Sequence, residues 1–253
     1  IAEDLESIYG VDAELTIGFP LGVERLFESM ARENTIIVIG VALGDEGKGR
    51  IVDNKLEDLL SQVSYAYVVR YQGGNNAGHS LEKGDIKIAL HQVPSGVLYP
   101  EVVGIMDRGM VIHPEDLQTE IEMIESKVGD LREKLYLSPD AILVTDLERA
   151  EEVLNRTKQK KAQGGTGRGI GPAYAHHYDR LGLNISDLMR NDWRKILGAQ
   201  YDRYTIEFEA FGMSLQDIEV PDYRKTLQNK TAQKRTVGNK KEFLDRLEES
   251  RTW

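Results

Sequence analysis

Three glycine-rich stretches hold the residues best suited to chemistry. In the first, residues 40–50 read GVALGDEGKGR, so that Gly44, Gly47 and Gly49 stand among Asp45, Glu46 and Lys48, with Arg50 next. Glycines let backbone N–H groups approach phosphate oxygens, and a carboxylate beside them suits a hard cation. The stretch is not a Walker A loop, because the first glycine of that motif would fall at Ala42 and Gly49 holds its Ser/Thr place. Taken alone, the same residues also fit a tight turn before a helix with a solvated acidic pair.

The second stretch, QGGNNAGHS at 72–80, offers the amides of Asn75 and Asn76, close backbone approach at Gly78, and His79, whose proton affinity lies near neutrality. A lone loop histidine is equally compatible with a structural role. The third, GGTGRGIG at 164–171, contributes Thr166 and Gly167 and runs through Pro172 into an aromatic, basic segment ending at Arg180. Arginine donates a fork of two hydrogen bonds to phosphate, and Arg180 is placed to act from a separate segment or a partner subunit. Glycine-rich turns are common, so this stretch alone leaves the chemistry open.

These loops need a frame. The β-branched run Thr35 to Ile39 reads as a strand leading into the first loop, and a helical pattern through Ile51, Leu56, Leu59 and Leu60 follows it. Tyr65 to Tyr71 is a second strand leading into the second loop, and Ile86 to Val93 a third, followed by the turn Pro94-Ser95-Gly96. In open α/β sheets ligands sit beyond the carboxyl ends of the strands, so one site built by both loops is expected. Residues 113–128 and 146–161 read as supporting helices. The third glycine-rich stretch is not expected to be a regular helix. Beyond Leu188 the chain turns polar, and the basic tract Lys225 to Lys241 and the helix-like tail Glu242 to Trp253 read as solvated faces.

At 253 residues, 40% hydrophobic and 29% charged, the chain fits a single folded α/β domain over 1–253, with a core at 34–188 and a helical, charge-rich extension at 189–253. A net charge of -10 argues against a general nucleic-acid binder, so any phosphate contact must be local. The absence of cysteine excludes disulfides, zinc-thiolate sites and cysteine nucleophiles, and fits a reducing, cytoplasmic setting. No apolar run approaches the roughly 20 residues of a membrane span, and the start lacks a signal-peptide layout. The first residue is Ile, from which a natural start further upstream is expected.

The order and spacing of GDEGKG, RYQGGNNAGH, PSGVL and TGRGIGPAY resemble the N-terminal half of the adenylosuccinate synthetase family, closely from about Thr35 to Leu188. The resemblance implies an α/β fold with a P-loop-NTPase-like, mainly parallel central sheet flanked by helices. It implies a ligase of purine biosynthesis that joins IMP and L-aspartate at the expense of GTP, with Mg2+. By the same resemblance Asp45 is the general base at N1 of IMP and a magnesium ligand, His79 the general acid, and Lys48 the group that neutralises developing charge. Residues 44–50 (Gly44, Asp45, Glu46, Gly47, Lys48, Gly49, Arg50) and Gly78, His79 and Ser80 line the GTP phosphates, the Gly78 carbonyl also facing the metal. Asp45, Lys48, Asn76, His79, Thr166 and Arg180 fall where the family contacts IMP, the arginine acting across a homodimer interface.

The chain also departs from the family. Ala42-Leu43 replace Gln-Trp, Ser80 replaces Thr, and Gly165 stands where a first Thr is usual. There is no counterpart of the FEGAQG segment, the aspartate-binding loop or the guanine-reading N/T-K-x-D segment. Residues 237–253 resemble the stretch leading toward FEGAQG, from which a truncated chain is expected, and residues 1–30 loosely resemble the family's C-terminal end. Besides a working synthetase, two readings stay open: a remnant that binds a purine nucleotide without turnover, and a relative that converts a guanylate to 2-aminoadenylosuccinate.

Overall fold

The computed structural model describes residues 13–18, 35–40, 47–76, 78–83, 86–158 and 165–251. In chain order the strands and helices begin with β1 (Ala13–Gly18), β2 (Thr35–Gly40), α1 (Lys48–Leu60), β3 (Ala66–Arg70), β4 (His79–Lys83) and β5 (Ile86–Leu90). They continue with β6 (Val102–Met106), β7 (Val111–Ile112), α2 (Pro114–Val128), β8 (Leu135–Leu137), β9 (Ile142–Leu143), α3 (Asp146–Lys158) and α4 (Ile170–Tyr178). The remainder is α5 (Ile185–Met189), α6 (Trp193–Ala210), β10 (Glu219–Pro221), α7 (Tyr223–Asn229), β11 (Lys234–Thr236) and α8 (Lys240–Ser250).

The expected α/β class holds, with parallel strands flanked by helices. β1 and β2 pair in parallel, and β6 lies between β3 and β8, parallel to both. That ladder pauses at a turn and then resumes. Val111 N donates to Gly73 O, Ile142 N to Met110 O, and β7 pairs in parallel with β9. The loop after β3 and the loop before α4 thereby converge on one end of the sheet.

The run at 86–93 is a strand only to Leu90, and it is the second arm of an antiparallel hairpin with β4, His79 opposite Leu90. β4 begins inside the second glycine-rich stretch, where glycines and a single short apolar alternation hide it from a sequence reading. Pro114 opens α2 at a position where a missing N–H costs nothing, and His113 caps it by accepting from Asp116 N. Leu117, Ile121 and Ile124 of α2 then sit in the core with Ile88 and Leu90 of β5.

Two expectations need correction. The third glycine-rich stretch is irregular only to Gly169; from Ile170 it is helix, and Pro172 is accommodated because first-turn N–H groups need no acceptor inside the helix. Most of the basic tract is solvated as expected, Lys225, Lys230, Lys234 and Lys241 all being exposed, but Arg235 within it and one face of the tail are not. Phe243, Leu244 and Leu247 of α8 are buried, the Arg235 side chain is only 18% exposed, and Arg246 reaches the buried Asp146. The polar look of this region conceals an apolar stripe on α6, where Trp193, Leu197, Tyr201, Tyr204 and Phe208 recur every three or four residues and join the main core.

Candidate functional site

α1 begins at Lys48, inside the first glycine-rich stretch. Gly47 holds φ 68°, in the left-handed region, and its carbonyl accepts from Ile51 N at 3.1 Å, closing the first helical turn. A methyl group would have space there, so it is the dihedral that calls for glycine. The N-terminal turn of a helix presents backbone N–H groups and the positive end of the helix dipole, both favourable to an anion, and no acidic residue occupies this turn. Arg50 and Lys48 are exposed and Gly49 half-buried. Gly44, Asp45 and Glu46 lie outside the described residues.

The second loop is held from both sides. Arg70, the last residue of β3, donates to Gly74 O at 2.8 Å and to His91 O. Gly73 N donates to the Tyr174 hydroxyl at 2.9 Å, which donates in turn to Gly109 O at 2.8 Å. A Cβ on Gly74 would lie 2.6 Å from Ile170 Cδ1 and 2.7 Å from Val111 O, so α4 and β7 close on this loop only because residue 74 has no side chain. Asn75 is buried while Asn76, Gly78 and Ser80 are exposed. The backbone of His79 opens β4, and its side chain is not among the described ones. The His91 ring lies beneath Gly78, where a Cβ would come within 2.8 Å of Cε1.

Under this loop sits Glu120, fully buried on α2, whose carboxylate accepts from His91 N, Gln92 N and Val93 N at 2.7, 2.9 and 3.2 Å. Burial pushes its proton affinity up to about 7, against the pull of those three N–H groups and of Arg70.

The third loop is set by α3. Gly167 and Gly169 both have left-handed φ, 75° and 74°, and their N–H groups donate to the two oxygens of Glu152 at 2.9 and 2.8 Å. Arg156 donates to Gly165 O. A Cβ on Gly169 would stand 2.8 Å from Arg149 N, against the backbone of α3. Thr166 faces solvent, whereas Arg168 turns inward and meets Asp116 Oδ2 at 3.3 Å.

The structure therefore brings the Asn76 and Thr166 loops together and leaves Arg180 apart. α4 runs nine residues from its contact with Gly74, a rise of about 13 Å, before the turn that holds Arg180. There Arg180 is exposed with φ 61°, and Leu181 N and Gly182 N donate to His176 O, closing the helix end.

Beneath the loops lies a charged cluster that the sequence reading did not single out. Asp116 and Asp146 are buried; Arg149, fully buried, pairs with both, His113 lies 3.4 Å from each, and Arg235 and Arg246 reach Asp146 at 2.8 and 3.2 Å. Burial would raise the Asp116 carboxyl, but Arg149, His113 and Arg168 hold it below its ordinary range. For Asp146 burial is likewise outweighed, by the His113 ring beside it and by Arg235 and Arg149. One signal was available: Asp116 and Glu120 share the helical stripe of Leu117, Ile121 and Ile124, and acids on an apolar stripe must have partners inside.

Among the described residues no helix is long and apolar enough to cross a membrane. The adenylosuccinate synthetase family matches this chain over residues 37–252. The curated adenylosuccinate synthetase of Proteus mirabilis (strain HI4320) is 40% identical over 196 residues, which are 77% of this chain and 43% of that protein. That of Buchnera aphidicola subsp. Schizaphis graminum (strain Sg) is 47% identical over 155 residues, 60% of this chain and 34% of the relative. The solved structure of fully ligated adenylosuccinate synthetase from Plasmodium falciparum superposes with a TM-score of 0.57 at 34% identity, covering 66% of this chain and 38% of that one. The chain spans less than half the length of these relatives.

Proposed function

The chain belongs to the adenylosuccinate synthetase family, and on that premise we propose that it serves the reaction IMP + L-aspartate + GTP to adenylosuccinate + GDP + phosphate. The observation that carries this reading is that strand β2 and a helix whose first turn opens at the left-handed Gly47 flank the glycine-rich stretch. Such a turn favours the phosphates of a nucleotide. The second and third loops, pinned to each other through Gly73, Gly74, Tyr174 and Ile170, supply an adjoining surface on which Asn76 and Thr166 are exposed.

In the proposed reaction Asp45 takes the proton from N1 of IMP, and the electrons move toward the 6-oxygen. That oxygen bonds to the γ-phosphorus of GTP as the bond to the leaving GDP oxygen breaks, with His79 assisting departure, and 6-phosphoryl-IMP results. The amine of aspartate then bonds to C6 and phosphate leaves. Lys48, beside the phosphates, offsets the charge that develops in transfer. Assigning the base and the acid to two different segments fits a reaction in which proton removal and leaving-group stabilisation occur on opposite sides of the transferred group.

The Asp45 carboxylate and the Gly78 carbonyl are hard oxygen donors of the kind Mg2+ prefers, and a bound Mg2+ would neutralise phosphate charge there. Among the described residues no group of three or more His, Cys, Asp and Glu could hold a metal by itself. Nucleotide and water oxygens complete such a shell. The exposed Arg180, a helix length from Thr166, serves the IMP site of a second copy in this reading, which makes the working form a homodimer. A chain without cysteine suits a cytoplasmic setting.

The test is aspartate-dependent formation of adenylosuccinate by the purified chain with IMP, GTP and Mg2+, each component omitted in turn. A second reading is a protein that holds purine nucleotide without turnover. Calorimetric binding of IMP and GTP without product formation would select it. Neither binding nor turnover in a folded sample would sink both.

A further inference from the structure

Asp116 stands where two loops meet. Three donors converge on its Oδ2: Asn75 Nδ2 at 2.7 Å, Arg168 at 3.3 Å and the fully buried Arg149. Asn75 is the inward neighbour of the exposed Asn76, and Arg168 lies two residues beyond the exposed Thr166. Each loop therefore turns one side chain out toward the solvent and one in toward the same carboxylate oxygen. We propose that Asp116 is a positioning residue that fixes the Asn76 loop and the Thr166 loop relative to each other, so that the two bind the purine nucleotide monophosphate as one unit. The proposal rests on the assignment of these loops to IMP given above.

The surroundings make the link stiff. On one side Gly74 touches Ile170 and Val111 with no room for a Cβ; on the other, Glu152 holds the N–H groups that flank Arg168. With both backbones fixed, a shift of Asp116 passes to Asn75 and Arg168 together. Asp116 itself is on α2, seated by the His113 cap and by Arg149, and so does not follow either loop. Its oxygen lies on the buried side of both loops, which makes it a support for binding and not a group that touches substrate.

The experiment uses the full chain and four variants, Asn75→Ala, Arg168→Ala, the double variant, and Asp116→Asn, with IMP and GTP–Mg2+ affinities measured separately by calorimetry. Groups that share one network couple strongly, so each single alanine should weaken IMP by about three- to tenfold, and the double variant should fall short of the product by about threefold or more. GTP–Mg2+ affinity, which depends on the first loop and on residues 78–80, should change by less than about twofold. Asp116→Asn keeps an acceptor but not the charge and should match the weaker single variant. Multiplicative losses in the double variant, or equal losses of IMP and GTP affinity, would overturn the role. If the wild-type chain binds no IMP, the assignment of the loops fails, and amide hydrogen exchange decides the coupling alone. Faster exchange at 73–76 in Arg168→Ala supports the link; a change confined to 165–170 refutes it.

Discussion

Glu120 gives the sharpest quantitative test of how the backbone that follows β5 is supported. Its carboxyl titrates near 7 in the folded chain, raised from an ordinary 4.5 by burial on α2. Below pH 4.5 the folded and unfolded chains both carry this proton, and its contribution to stability is fully present. Between 4.5 and about 7 the folded chain keeps a proton that the unfolded chain has released, so stability falls as pH rises, by about 3 kcal/mol across the window. Glu120→Gln removes the titration while keeping the shape. Urea unfolding of both proteins at pH 4.5, 6.0 and 7.5 isolates the effect, because the other carboxylates contribute equally to each and cancel in the difference. The wild-type advantage over the variant should shrink toward pH 7.5 by about 3 kcal/mol. A difference that is flat, or that grows with pH, would refute the reasoning: the N–H groups of residues 91–93 and Arg70 would then outweigh burial and keep the carboxylate charged.

Tyr174→Phe leaves the Gly73 N–H and the Gly109 carbonyl without their partner and should cost about 1–3 kcal/mol in denaturant unfolding, with weaker IMP binding; an unchanged midpoint would mean that water replaces the hydroxyl. Gly169→Ala combines a left-handed φ with a Cβ 2.8 Å from the α3 backbone and should cost at least about 1–3 kcal/mol in the same assay, whereas Gly47→Ala, with space around it, should cost less. Asp45→Ala and His79→Ala should each lower turnover by about 10²–10⁴-fold in a coupled assay for adenylosuccinate while leaving the thermal midpoint in place. Turnover equal to wild type would remove the residue concerned from the proton-transfer scheme.

The strand-loop-helix frame was legible because its signals are local. The β-branched run at 35–39 and the glycines that end it need no distant partner to be read, and neither does the 3.6-residue spacing of α2. The glycine loops announced where a backbone must bend or come close, as Gly47, Gly167 and Gly169 do. What stayed hidden is long-range. Nothing near Arg235 or Arg246 says that each will meet Asp146, so two arginines that turn inward read no differently from the exposed lysines around them. The apolar stripe of α6 was diluted by intervening charges. Asp116 and Glu120 carried a readable oddity, acids on an apolar stripe, but their partners could be named only from the fold. The same holds for Glu152, which looks like one more helix acid until the N–H groups of Gly167 and Gly169 are found on it.

The buried Asp146 also ties together parts of the chain that are far apart in sequence. Two of the guanidinium groups that neutralise it come from 89 and 100 residues downstream, on β11 and α8. Pairings so distant in sequence carry a large loop-closure entropy and form late. The seat of Arg149 beneath the third loop therefore depends on β11 and α8 as much as on α3 itself.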